Sequence, residues 1–307
     1  MGRRLTLIAG LAAALVVGAV VAVVALAGDG GDAPPAQPAA TTAPDPPPDG
    51  FDGARAFAEL RRQVELGPRP AGSPALRGLA VRLRRGLPHG RFEPVPGHPG
   101  LRNIVGRLPG TKPAVAIAAH YDTKRLPGFV GANDGAGGTA AVLELARVLR
   151  HADRPRGAPA LRFVLFDGEE ATDDTSAFER TGIRGSKAYA RAHADELRAL
   201  ILLDFVAAKD MRMVRDASSD PGLWRRLRSA ATAAGVERFF PGGATIGGAI
   251  TDDHTPFLRR GVRSIDLIAW PYDCWHQPCD DMTAVAEESL DASGEAVLEL
   301  VRRLDRT

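Results

Sequence analysis

Four short runs that are apolar almost from end to end constrain this chain more than any other feature: 114–119 (AVAIAA), 161–166 (LRFVLF), 200–206 (LILLDFV) and 264–269 (SIDLIA). A strand with one face in water alternates apolar and polar residues, whereas a run without alternation is covered on both faces. Around these runs lie amphipathic stretches long enough for helices, at 54–65, 75–87, 134–150, 186–197, 222–234 and 283–304. Strands interleaved with helices run parallel and are joined by right-handed crossovers. The pattern predicts an α/β fold, a three-layer α/β/α sandwich on a mixed, mostly parallel sheet.

In such sheets ligands collect beyond the carboxyl ends of the strands, and there the charged residues stand. The first run leads into His120-Tyr121-Asp122 and the second into Asp167-Gly168-Glu169-Glu170. The third holds Asp204 near its end, the last is followed by Trp275-His276, and Gly131-Ala132-Asn133-Asp134 opens a helix. Two imidazoles and several carboxylates thus meet on one rim, with Lys124-Arg125 the only bases close by in sequence. Such a cluster needs a cation. Zinc accepts imidazole nitrogen and carboxylate oxygen, and catalytic sites leave a position for water. His120, Asp204 and a bridging Asp134 suit one ion; Asp134, Glu170 and His276 suit a second. Adjacent residues in an extended segment point to opposite sides, so Glu170 can bind metal while Glu169 serves as general base. Taken singly, Asp134 reads equally well as a helix cap, His276 as an ordinary loop histidine and the Glu pair as surface. Asp204 alone is costly in an apolar strand without a partner. Their joint placement favours the metal site.

Composition narrows the alternatives. The 307 residues carry 37 acids against 39 bases, leaving no basic field for a phosphate backbone, so no nucleic-acid partner is expected. Residues 5–27 form an uncharged run directly after Arg3 and Arg4. At ~1.5 Å per residue a helix of that length spans roughly 34 Å, enough to cross a bilayer core. The arginines stay cytoplasmic, which predicts a single-pass anchor over 1–27 in the cell membrane with the remainder outside the cytoplasm. Ala25-Leu26-Ala27 before Gly28 equally resembles a signal-peptide cleavage site, which would leave a secreted protein. A Pro/Ala-rich tether at 28–50 precedes one catalytic domain at 51–307, expected as a monomer.

The only cysteines, Cys274 and Cys279, flank His276. In an exported chain a disulfide between them is reasonable; closing so short a loop constrains the unfolded chain by roughly 2 kcal/mol and stiffens the turn that presents His276. Free thiols, or thiolate ligation of zinc, are the alternatives.

With these residues in view, the chain resembles the zinc exopeptidases related to aminopeptidase Y and, more closely, the animal-type glutaminyl-peptide cyclotransferases. The resemblance runs from Gly67-Pro68-Arg69-Pro70 to the C-terminal helix through AAHYDTK (118–124), FVGANDGAGGTAAVLELARVL (129–149), RFVLFDGEEA (162–171), LLDFV (202–206), DDHTPFLRRGV (252–262) and WHQPCDD (275–281). It implies one or two zinc ions on His120, Asp134, Glu170, Asp204 and His276, with Glu169 as acid/base and Asp122 orienting His120 from behind. In peptidase members two zincs polarise the scissile carbonyl and activate water. In cyclotransferase members one zinc, matching Asp134, Glu170 and His276, polarises the γ-amide of an N-terminal glutamine, while positions matching Asp204 and Asp252 support the transition state. Both branches imply peptide substrates with a free N-terminus. Two departures lean towards hydrolysis: Asp266 stands where cyclotransferases carry His, and no Trp follows the Glu pair, leaving Trp275, Trp270 and Tyr272 as partial pocket walls. Hydrolysis is therefore the leading expectation and cyclisation the alternative. A metal-free binding ectodomain, the third, would show lost ligands, and none is missing.

Overall fold

The computed structural model describes residues 50–306 apart from 174–176 and 244. The predicted anchor and all of the tether but Gly50 lie outside these residues. Among the described residues no helix is long and apolar enough to cross a membrane.

Six strands form one sheet: β1 (Arg91–Pro94), β2 (Arg102–Leu108), β3 (Thr111–His120), β4 (Pro159–Phe166), β5 (Leu197–Leu203) and β6 (Arg263–Leu267). Their order is β1-β2-β4-β3-β5-β6. The inner pairs β4–β3, β3–β5 and β5–β6 are parallel, whereas β1–β2 and β2–β4 are antiparallel. The four apolar runs are the four parallel strands. The antiparallel edge was invisible to the apolar pattern, because β1 is exposed or half-buried throughout and β2 carries Arg102, Gly106 and Arg107.

Eight α-helices are described: α1 (Gly53–Val64), α2 (Pro74–Gly86), α3 (Gly138–His151), α4 (Phe178–Thr181), α5 (Arg184–His193), α6 (Pro221–Ala233), α7 (Thr255–Leu258) and α8 (Glu287–Leu304). Several starts are written locally. Ser73 caps α2 by accepting from the Leu76 N–H, and Asp220 caps α6 at Leu223, each followed by proline in the first turn. The pleat then sorts the core into two layers. Val115, Ile117, Leu161, Phe163 and Leu165 face α1, α2, α3, α6 and α8, while Ala116, Ala118, Val164 and Phe166 face Tyr189 of α5 and Phe257 of α7. The sandwich has three layers, as its sequence pattern implied.

Of the expected boundaries that move, two matter to the site. The third strand ends at Leu203 rather than running to 206, so Asp204 is the first residue beyond it, its N–H donating to the Leu267 carbonyl. The helix expected from Asp134 begins at Gly138. Asp134 (φ −86, ψ 91) and Gly135 (φ 101) lie outside helical geometry, so an irregular turn over Ala132–Gly137 comes first. Asp134 is therefore no cap of α3; it projects from a turn. The last helix likewise starts at Glu287, not Thr283.

Candidate metal centre

The predicted donors gather at the carboxyl ends of the parallel strands. His120 is the last residue of β3, Asp204 follows β5, Glu169 and Glu170 follow β4 across a turn at Gly168 (φ 74), and His276 lies in the loop after β6. Nε2 of His120 is 3.2 Å from Oδ1 of Asp134 and 3.2 Å from Oδ1 of Asp204. Nε2 of His276 is 3.3 Å from Oε2 of Glu170 and 3.7 Å from Oδ2 of Asp134. Asp134 thus turns one oxygen to each histidine. Tetrahedral zinc with ligands at roughly 2.1 Å separates its donors by about 3.4 Å, and within each set the donor atoms lie no more than 4.8 Å apart. Oε1 of Glu170 is buried with no hydrogen-bond partner. Donor chemistry, spacing and this orphaned oxygen fit a divalent cation in both positions.

The electrostatics point the same way. Asp134, Glu169, Glu170, Asp204 and Asp252 are all buried. Burial, with the charge of Asp134 adding to it, pushes Glu170 up to about 7. Burial likewise holds Glu169 well above the usual carboxylate range, and Asp204 too, the latter with help from Asp252. Burial alone would lower His120, but the neighbouring carboxylates of Asp122, Asp134 and Asp204 outweigh that and raise it. Carboxylates crowded in this way hold protons unless a cation relieves them.

Each ligand is oriented by a named partner. Nδ1 of His120 lies 3.1 Å from the Asp122 backbone carbonyl, which assigns the ring proton to Nδ1 and leaves Nε2 for the site. The carboxylate of Asp122 was expected to orient His120, yet its Oδ1 stands 3.7 Å from that ring. It accepts instead from the N–H groups of Gly168 (3.0 Å), Glu169 (3.1 Å) and Glu170 (3.3 Å), fixing the loop that presents both glutamates. Two further orienting residues lie in the motifs quoted above without a local signal of that role. Asp280 accepts from the N–H groups of Asn133 (2.8 Å) and Asp134 (3.1 Å). Arg69, fully buried and lowered to about 10 by that burial, donates to the carbonyls of Val130 and Gly131.

The ions would sit in the floor of a cavity of about 700 Å³ walled by Leu126, Phe178, Phe205, Ile250, Trp270 and Trp275. Trp270 and Trp275 stand where the pocket was expected, their rings edge to face at 5.1 Å. Tyr272 does not line this cavity: it opens on a neighbouring one, and its hydroxyl donates to Asp280 (2.7 Å). Phe178 takes a place on the wall that no local signal announced, because it arrives from α4 beyond the loop that follows Glu170. Asp173 reaches the rim; Asp174 lies outside the described residues.

Behind Asp252 a third donor group forms from Asp252, His254 and Asp266, all buried. His254 lies between Asp216 (Nε2 to Oδ2, 3.4 Å) and Asp266 (Nδ1 to Oδ2, 3.6 Å). Burial and the charge of Asp252 push Asp266 well up. The expected disulfide is present: Cys274 and Cys279 are bonded, with Cα atoms 5.4 Å apart, and Trp275 inside that ring stacks on His276 at 4.4 Å. Arg259 pairs with Glu179 at the surface, away from the donors.

Comparison with known proteins places this geometry among relatives. The family model described as peptidase family M28 matches residues 103–301. A glutaminyl-peptide cyclotransferase of Drosophila melanogaster is 30% identical over 226 residues, which cover 64% of this chain and 63% of that protein. The chain spans between 54% and 63% of the length of the curated relatives it matches. Among solved structures, a glutaminyl cyclase from an Acidobacteriales bacterium superposes with a TM-score of 0.74 at 29% identity, over 87% of this chain and 99% of that one. A Zn-dependent exopeptidase from Parabacteroides distasonis ATCC 8503 gives 0.72 at 26% identity, over 82% and 98%.

Proposed function

This chain belongs to peptidase family M28, and we propose that it is a zinc-dependent enzyme acting at the free N-terminus of peptides, with cyclisation of an N-terminal glutamine as its reaction. Relatives over most of the domain are named as cyclotransferases. The structural observation that carries the choice is Phe178. The absence of a tryptophan after Glu170 weighed towards hydrolysis, since a glutamine side chain must be pressed back onto its own amine. Phe178 supplies an apolar wall to the cavity that Trp270 and Trp275 also line.

Zinc held by Asp134, Glu170 and His276 would supply Lewis-acid polarisation of the γ-amide carbonyl. Glu169 accepts a proton as the α-nitrogen attacks the carbonyl carbon of the side-chain amide, then returns it to the departing amide nitrogen, so that ammonia leaves and the ring closes. A buried carboxylate on the cavity wall, outside both donor sets, is placed for both halves of that exchange. Asp204 and Asp252, beside it on the cavity wall, receive the positive charge of the amine. The aromatic walls exclude water, which would otherwise compete as nucleophile.

Hydrolysis of the first peptide bond is the second reading, favoured by the intact His120–Asp134–Asp204 set, which a two-ion peptidase needs. Incubation with a glutaminyl peptide and an aminoacyl amide series separates the two. Loss of one ammonia without chain shortening supports cyclisation; release of a free amino acid supports hydrolysis and overturns the first reading.

We also propose that 5–27 anchors the domain outside the cytoplasm. The Cys274–Cys279 bond supports this, because such links persist in oxidising compartments.

A further inference from the structure

A histidine inside the disulfide ring and the residue just after the ring reach Asp134 at its carboxylate and at its backbone. Inside the ring, His276 sits at φ +53, in the left-handed region that side-chain-bearing residues seldom occupy. Its Nε2 lies 3.7 Å from Oδ2 of Asp134. Immediately after Cys279, Asp280 holds the backbone N–H groups of Asn133 and Asp134 on its two carboxylate oxygens. The ring and Asp280 are also joined to each other. The Gln277 N–H donates to the Cys274 carbonyl (3.0 Å), the Asp280 N–H to the Gln277 carbonyl (3.0 Å), and the Ala132 N–H to the Asp280 carbonyl (3.1 Å). Six residues closed by one covalent link therefore set both His276 and the turn that carries Asp134.

His120 and Asp204 are held otherwise. They terminate or follow central strands, and His120 is fixed by the Asp122 carbonyl and, through its own carbonyl, by the Thr139 hydroxyl (2.8 Å). Neither position depends on the ring. Cys279 is exposed and Cys274 half-buried, so the bond is open to attack from solvent.

We propose that the Cys274–Cys279 bond is a redox-sensitive positioning element: it ties retention of the ion between Asp134, Glu170 and His276 to the oxidised state, and the His120–Asp204 side, which shares only Asp134 with that ion, is disturbed less. The proposal rests on reading these donors as a metal site. A dithiol would break the bond by exchange. Its two thiols leave as a disulfide, and Cys274 and Cys279 each gain a hydrogen as two electrons and two protons pass to the ring. The opened loop frees His276 from its left-handed backbone and loosens the grip of Asp280 on Asp134.

The test follows zinc rather than turnover. The full chain is loaded with zinc, and transfer to a chromogenic chelator is timed for the oxidised protein, for protein reduced with a phosphine, and for Cys274→Ser/Cys279→Ser, with thiols counted in parallel. One equivalent should leave faster by about tenfold or more in both opened forms, as loss of an orienting partner does elsewhere. Asp280→Asn, with the disulfide intact, should accelerate the same equivalent. Any second equivalent should be accelerated less, because His120 and Asp204 stay in place and only Asp134 is shared. Equal release from oxidised and reduced chains overturns the proposal, and so does joint loss of two equivalents at one rate, which would mean general unfolding. If the serine variant does not fold, the reduced native chain decides. A chain that releases zinc as described yet converts neither peptide class sinks the reaction assignment and leaves the redox coupling standing; a chain that binds no zinc when oxidised sinks both.

Discussion

Oδ1 of Asp122 accepts the backbone N–H of Glu169 at 3.1 Å, so the carboxylate two residues past His120 fixes the loop that carries the proposed acid/base. Asp122 accepts three N–H groups in all, each buried. Asp122→Ala would leave these donors unpaired at about 1–3 kcal/mol apiece. Zinc retention should fall with activity, because Glu170 rides on the same loop. A variant with native activity and zinc content would show that this anchor is dispensable.

Glu169→Gln removes the proton acceptor while preserving shape. We expect kcat to drop by roughly 10²–10⁴-fold with the zinc content unchanged, since Glu169 belongs to neither donor set. Steady-state kinetics with metal analysis on one preparation checks both halves. Near-native turnover would reassign the base.

Phe178→Ala removes an apolar wall of the cavity that Trp270 and Trp275 also line. If the wall folds the glutamine side chain onto its amine, KM for a glutaminyl peptide should rise and kcat fall together. Hydrolysis of an aminoacyl amide, which needs no such folding, should change less. Equal effects on both substrates would remove the argument for cyclisation.

Stability of the metal-free chain should depend on pH with a definite sign. Burial raises Asp167 and Glu170 to about 7 and Asp280 to about 6, from ordinary values of 3.8 and 4.5. A carboxyl raised in the folded state binds its proton more tightly there, so its contribution is full below the ordinary value and is lost as pH climbs through the folded one. The thermal midpoint should therefore fall between about pH 5 and 7.5. Asp216, held at about 2 by His254 and Ser218 against the opposing effect of burial, acts only in more acid solution. Saturating zinc should reverse the slope, because metal ligands must be deprotonated. Calorimetry with and without zinc measures it; a midpoint that rises with pH in the metal-free chain would contradict the crowding of acids.

Gly138→Ala tests how tightly α3 rides on the sheet. The added Cβ would lie 2.0 Å from the Leu203 carbonyl oxygen, although the backbone there is helical. Overpacking of this kind costs about 1–3 kcal/mol, and displacement of Leu203 would carry Asp204 with it. Denaturant unfolding should register the loss.

Some of this architecture was written locally. An unbroken apolar run means cover on both faces, so the four parallel strands and the rim where His120, Glu170, Asp204 and His276 meet were legible from the residues alone. The cysteines around His276 likewise announced their own link. Other features had no local mark. The antiparallel strands β1 and β2 carry arginines and a glycine, and hydrogen bonding of β2 to β4 and of β1 to β2 makes them strands, not periodicity. The irregular turn at Asp134 overrode a helical pattern because Asp280 holds its N–H groups, and Asp280 lies 146 residues further along the chain. Phe178 reached the cavity wall because the fold brings α4 there, while Tyr272 left it for Asp280, eight residues further along the same loop. Periodicity records what a residue's near neighbours require, whereas partnership between distant residues exists only once the sheet has stacked their loops on one edge.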